Sequence, residues 1–221
     1  MGRGVFIVIE GTSALHEKQL AFYLKEMIRT NTGLTVQIRG GTWEHTDNHP
    51  QILLNYLAGW EQLPDEVAHH LFSAGRWEKM PEIMFQLNRQ RVVIQHRYVA
   101  SGRAQTLAGG KLTSDWCKQF ETGLLKPDLT IYVERGPLPE QEPEPRSFWG
   151  PMHFAGPGHS PHPEMTQKIV DQFNEIKKSE PNWVTIDAAK SSPVQAMDLL
   201  QPIIMEKIID CIDDNKDFLF Y

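Results

Sequence analysis

Val5-Phe6-Ile7-Val8-Ile9-Glu10 has the composition of a buried strand, and the residues that follow it, Gly11-Thr12-Ser13-Ala14-Leu15-His16-Glu17-Lys18-Gln19, lead into a helix. That is where a phosphate-binding loop belongs. Such a loop needs a second glycine to curl round the phosphates, a lysine for their oxygens and a Ser or Thr for Mg²⁺. Here His16, Glu17 and Lys18 stand in the turn instead. A carboxylate at the lysine position reverses the field that a phosphate would meet. At about 4 Å and an effective dielectric near 20, one like-charge contact costs on the order of 4 kcal/mol, roughly a thousandfold in affinity. Imidazoles suggest other chemistry. His45 and His96 each follow a predicted strand, and together with His16 and Glu17 they could ligate a transition metal or exchange protons. Their spacing matches no metal motif, as is also true of His69-His70 and of His153, His159 and His162, which read as ordinary surface residues. We assign no metal site and no catalytic residue, and carry His16, Glu17, Lys18, His45, His96 and Arg97 as candidates.

The elements that would position these groups are legible from periodicity. Leu20, Tyr23, Leu24, Met27 and Ile28 recur at helical spacing and Gly33 ends the run. Leu34–Ile38, Val92–Ile94, Leu129–Val133 and Trp183–Ile186 read as further strands, with helical stretches between them. Strands alternating with helices of this length predict an α/β fold with a parallel sheet covered on both faces. Ligands of such sheets lie at the carboxyl ends of the strands. One segment breaks the pattern. Residues 136–163 hold eight of the fifteen prolines, with Glu140, Glu142 and Glu144 ahead of Arg146. We read it as a mobile loop, open to proteolysis, that serves either no function or as a contact arm for a protein partner.

With 221 residues and 40% apolar composition, the chain suits one domain spanning residues 1–221. A net charge of −6 argues against non-specific nucleic-acid binding. Cys117 and Cys211 fit a reducing compartment, and no apolar run approaches the roughly 20 residues that span a bilayer, so the expected location is cytoplasmic or nuclear with no membrane contact.

Phe72-Ser73-Ala74-Gly75-Arg76-Trp77-Glu78, Arg97-Tyr98, Ser101-Gly102, Asp115-Trp116-Cys117-Lys118, Gly123–Leu129, Asn182-Trp183 and Ile186–Ser191 occur in an order and spacing that resembles the thymidylate kinases of eukaryotes and large DNA viruses. The resemblance runs from about Gly2 to the C-terminus. It implies a P-loop-kinase-like five-stranded parallel sheet flanked by helices, a lid at residues 136–163, and a homodimer, whose contact would use apolar faces such as Ile52, Leu53, Tyr56 and Leu57. It also implies that Phe72, Arg76, Arg97, Ser101 and Gly102 form a nucleotide-binding set, Phe72 stacking on a pyrimidine and Arg76 reaching its carbonyl. Phe72 and Arg76 are also readable as a core residue and a solvated or salt-bridged arginine. Against the family pattern, His16 falls on a loop glycine, Glu17 on the lysine, Lys18 on the Ser/Thr and His96 on the aspartate before Arg97-Tyr98, while Thr42-Trp43-Glu44-His45 lacks the arginine of a Phe-Pro-x-Arg motif.

Three readings follow. The first is a thymidylate-kinase-like pseudoenzyme with a degenerate phosphate loop that binds a pyrimidine nucleotide or a protein partner. The second is an active dTMP kinase using ATP and Mg²⁺, in which Lys18, Arg97 and Arg146 replace the missing groups. The third is a repurposed enzyme acting on a nucleotide through His16, Glu17 and His96. We lead with the first, and assign no cofactor unless the second holds.

Overall fold

The computed structural model describes residues 2–12, 14–40, 52, 55, 62–134, 163–188, 190–213 and 216–221, and for residues 14–16, 163 and 193 the backbone alone. In chain order the elements are β1 (Phe6–Gly11), α1 (Ala14–Thr32), β2 (Val36–Arg39), α2 (Asp65–Leu87), β3 (Val92–His96), α3 (Val99–Ala108), α4 (Ser114–Gln119), β4 (Leu129–Glu134), α5 (Pro163–Ser179), β5 (Trp183–Asp187) and α6 (Pro193–Ile212). The strands form one parallel sheet in the order β2-β3-β1-β4-β5. This is the α/β architecture anticipated from the alternation of strands and helices.

β1 is buried along its whole length, because both of its faces are covered. Val5, Ile7 and Ile9 face one way, onto Leu20, Leu24 and Ile28 of α1 and Leu200, Ile204 and Ile208 of α6. Phe6 and Val8 face the other way, onto Ile83 and Leu87 of α2 with Val99 and Leu124. A third cluster joins Tyr132 of β4 to Ala100 and Ala104 of α3 and to Phe173 and Ile176 of α5. Burying each such large side chain is worth about 1.5–3 kcal/mol, so the apolar alternation alone fixes which helices lie on which face.

Polar groups close the amino-end of the sheet. Arg3 pairs with Asp128 through two bonds of 2.7 Å, and the Phe6 N–H donates to the same carboxylate. Arg3 also donates to the carbonyls of Lys216 and Asp217, drawing in the segment 216–221, where Phe220 bridges antiparallel to Leu125.

Gly33 ends α1 at φ +70°, as its position suggested. β2 begins at Val36 rather than Leu34, because the Thr32 hydroxyl takes the Leu34 N–H at 3.1 Å and holds it out of the ladder. The expected lid at residues 136–163 lies outside the described residues apart from the backbone of Pro163, as do Thr42, Trp43, Glu44 and His45 and, in the predicted dimer face, Leu53, Tyr56 and Leu57.

Candidate functional site

The chain leaves β1 for β2 on one side and later reaches β4 on the other, so the sheet changes winding direction beside the carboxyl end of β1. A crevice for ligands forms at such a point. Gly11 ends β1 there, and a Cβ on it would stand 2.8 Å from the Val133 carbonyl oxygen and 3.0 Å from Glu17 Oε1. α1 begins immediately afterwards and carries Glu17 in its first turn.

The Glu17 side chain is fully buried, and its Oε2 accepts a 2.8 Å hydrogen bond from Arg97 Nε. Arg97 follows β3 directly, in the left-handed region at φ +61°. That conformation costs a non-glycine residue about 1–3 kcal/mol and needs support from its surroundings. The Arg97 N–H donates to the Ile9 carbonyl at 2.8 Å, and the side chain pairs with Glu17; both contacts support it. Because a helix N-terminus also favours negative charge, the carboxylate has two positive neighbours of its own chain. In effect Glu17 is an anion built into the crevice.

A second carboxylate lies beside it. Glu10, the last residue before Gly11, accepts from the N–H groups of Tyr98, Ala100 and Ser101 at 3.1–3.3 Å and from the Ser101 hydroxyl. It thereby satisfies the orphan donors at the start of α3. Burial pushes its carboxyl up to about 7, the Ser101 hydroxyl works against that, and the neighbouring Glu17 adds to it. Several sealed polar atoms line the same strand ends without a hydrogen-bond partner among the described residues: Thr12 Oγ1, Glu17 Oε1, Gln95 Oε1 and the Tyr132 hydroxyl.

Across the sheet, α2 turns His69, Phe72, Ser73 and Arg76 inward. Arg76 grips Glu121 with both Nε, at 3.1 Å, and Nη2. Its Nη1 lies where a Cβ on residue 102 would come within 2.8 Å, so Gly102 is what admits the guanidinium. His69 Nδ1 sits 2.9 Å from Thr106 Oγ1, whose hydroxyl donates to the Gly102 carbonyl. The other ring nitrogen, Nε2, lies 3.7 Å from Glu121 Oε1. Burial, followed by the charge of Arg76, lowers His69 to about 4. The rings of Trp116, Phe120 and His70 pack alongside in tilted and edge-on contacts.

These positions amend several expectations. His69 is not a surface residue. It shares the buried face with Phe72 and Arg76 because residues three and four apart stand together on a helix. Arg76 is ion-paired with Glu121. The Ser101 hydroxyl is committed to Glu10. Of the anticipated meeting of imidazoles and carboxylate, Glu17 and His96 both lie buried at these strand ends, with Lys18 partly exposed beside them. His16 is described only as backbone of α1, and His45 lies outside the described residues. Among the described residues no group of three or more His, Cys, Asp and Glu side chains is placed to hold a metal ion, and no helix is long and apolar enough to cross a membrane. Glu10 and Glu121 were missed from sequence. Glu10 carried a signal, a carboxylate ending an otherwise apolar strand.

Residues 50–198 match the family model of thymidylate kinase. The chain is 28% identical to human thymidylate kinase over 190 residues, which cover 86% of this chain and 84% of that one. It is 36% identical to a putative thymidylate kinase of Invertebrate iridescent virus 6 over 132 residues, 59% of this chain and 60% of the viral one. In three dimensions it superposes on the Candida albicans thymidylate kinase with a TM-score of 0.72 at 22% identity, covering 100% of this chain and 97% of that one.

Proposed function

Since the chain belongs to the thymidylate kinase family, we propose that it has kept the family's fold, has given up ATP-dependent phosphoryl transfer, and works by holding a pyrimidine nucleotide or nucleoside or a protein partner. The observation that carries this reading is the Glu17–Arg97 pair, 2.8 Å long and fully buried on the carboxylate side. Phosphoryl transfer rests almost entirely on cations positioned round the transferring group. Here the turn that would cradle ATP contributes a carboxylate, and the neighbouring guanidinium is engaged by it. The donor set does not fit ATP phosphates or their Mg²⁺: His96 offers imidazole nitrogen, which a hard oxygen-seeking ion binds poorly.

The pyrimidine side rests on Phe72, Arg76, Arg97, Ser101 and Gly102, which keep the residue types that a thymidylate kinase uses. The protein-partner side rests on the proline-rich stretch 136–163, and self-association on the apolar residues that α2 exposes, Val67 and Phe85. The test is a coupled ADP-release assay of the full chain with ATP, Mg²⁺ and dTMP. No turnover above the enzyme-free blank is expected. A rate in the ordinary kinase range of about 1–100 s⁻¹ would end this reading in favour of a working kinase whose Arg97 leaves Glu17 when nucleotide binds.

A further inference from the structure

Glu17 has one oxygen engaged and one not. Oε2 accepts from Arg97, whereas Oε1 is sealed from solvent and has no hydrogen-bond partner among the described residues. Gly11 lets the β1 end approach that oxygen closely, since a Cβ there would stand only 3.0 Å from it. Thr12 Oγ1 and the Tyr132 hydroxyl are buried and unsatisfied at the same strand ends. Buried polar atoms are ordinarily hydrogen-bonded, and a set of them round one crevice points to a ligand that supplies the bonds.

The charge of that ligand follows from what is already spent. A phosphate would be held by the α1 N-terminus and by the Arg97 guanidinium; Glu17 already stands in that first turn, and the Arg97 Nε is paired with it. A phosphate dianion would have to draw Arg97 away. It would leave the Glu17 carboxylate buried and unpaired, beside a Glu10 carboxyl that Glu17 already pushes upward. A neutral ligand with a hydroxyl meets no such obstacle, and its O–H donates to the acceptor that lacks a donor.

We infer that the crevice takes a neutral pyrimidine nucleoside, its 5′-hydroxyl donating to Glu17 Oε1, in preference to the 5′-monophosphate. This rests on the reading that the site holds a pyrimidine ligand, and adds which ligand class it selects. Nothing is transferred; Glu17 acts as a selectivity residue that admits the hydroxyl and repels the phosphate.

The experiment is calorimetric titration of the full chain with thymidine, dTMP and inorganic phosphate, repeated on Glu17→Gln. In the wild type, thymidine is expected to bind at least about tenfold more tightly than dTMP, and inorganic phosphate is expected not to compete with it. In the variant, which removes the charge and releases Arg97, dTMP gains about tenfold or more while thymidine does not gain. Equal or tighter dTMP binding by the wild type overturns this inference and leaves the pyrimidine-binding reading standing. Binding of neither ligand overturns both. If Glu17→Gln fails to fold by circular dichroism, the wild-type ranking of the three probes decides alone.

Discussion

At the scale of single residues, the buried pairing of Glu17 with Arg97 bears directly on what holds the fold together. Removing one member of a buried ion pair strands the other, at about 3–5 kcal/mol. Glu17→Ala and Arg97→Ala are each expected to lower urea-measured stability by about that much, with a coupling energy of about 2 kcal/mol or more in the double-mutant cycle; additive losses would show that the pair is not an energetic unit. Both residues were candidates from sequence, but their pairing was not legible, because they stand 80 positions apart and meet only when β3 aligns with β1. A second residue-scale expectation concerns pH. Glu10, raised by burial to about 7 from 4.5, binds its proton more readily in the folded state, so its contribution makes stability fall as pH rises from 4.5 to 7. His69, lowered by burial to about 4 from 6.5, binds its proton more readily unfolded, so its contribution makes stability rise from pH 4 to 6.5. Where the windows overlap the two slopes oppose. His69→Gln removes the rising one, so its stability should fall with pH more steeply than the wild type's between 4.5 and 6.5, by at most about 1.4 kcal/mol per pH unit for the one proton. Parallel pH profiles for the two proteins would contradict the burial of a neutral His69.

At the scale of elements, the approach of α3 to α2 depends on what residue 102 lacks. The Arg76 guanidinium lies along Gly102 with both Nε and Nη2 on Glu121, which ties α2, α3 and the turn after α4 together. Gly102→Ala would place a carbon 2.8 Å from Nη1. The guanidinium cannot retreat without leaving Glu121, so the substitution should cost about 1–3 kcal/mol as an overpacked contact. Thermal unfolding checks this: an unchanged midpoint would mean that the helices part freely. The elements themselves were readable because β1, β3 and β4 present apolar residues on both faces and the helices repeat at 3.6 residues. What escaped was set by contacts between elements. The start of β2 turned on a side-chain bond from Thr32, and the burial of His69 on a partner, Thr106, that lies 37 positions away. Neither leaves a periodic trace in the sequence.

For the whole molecule, the two faces of the sheet are covered, yet α2 turns some apolar side chains outward. Val67 and Phe85 are 38% and 49% exposed, and their separation of five helical turns puts them on one line of the helix. Ala74 and Pro81 are exposed along the same line, although Glu78 interrupts it. Ile52, the one described residue of the predicted dimer face whose side chain is apolar, is 40% exposed as well. A two-fold pairing of α2 with its own copy would bring these side chains against an identical face. A net charge of −6 does not forbid this, since repulsion between like surfaces is screened beyond about 8 Å at physiological salt. Light scattering at micromolar concentration should therefore give about twice the chain mass of 25.3 kDa. Val67→Glu with Phe85→Glu should return the monomer mass without loss of helical signal, because both side chains lie outside the core. A monomer mass for the wild type would remove the dimer altogether, whereas a dimer that survives both substitutions would move the contact to another face of the molecule.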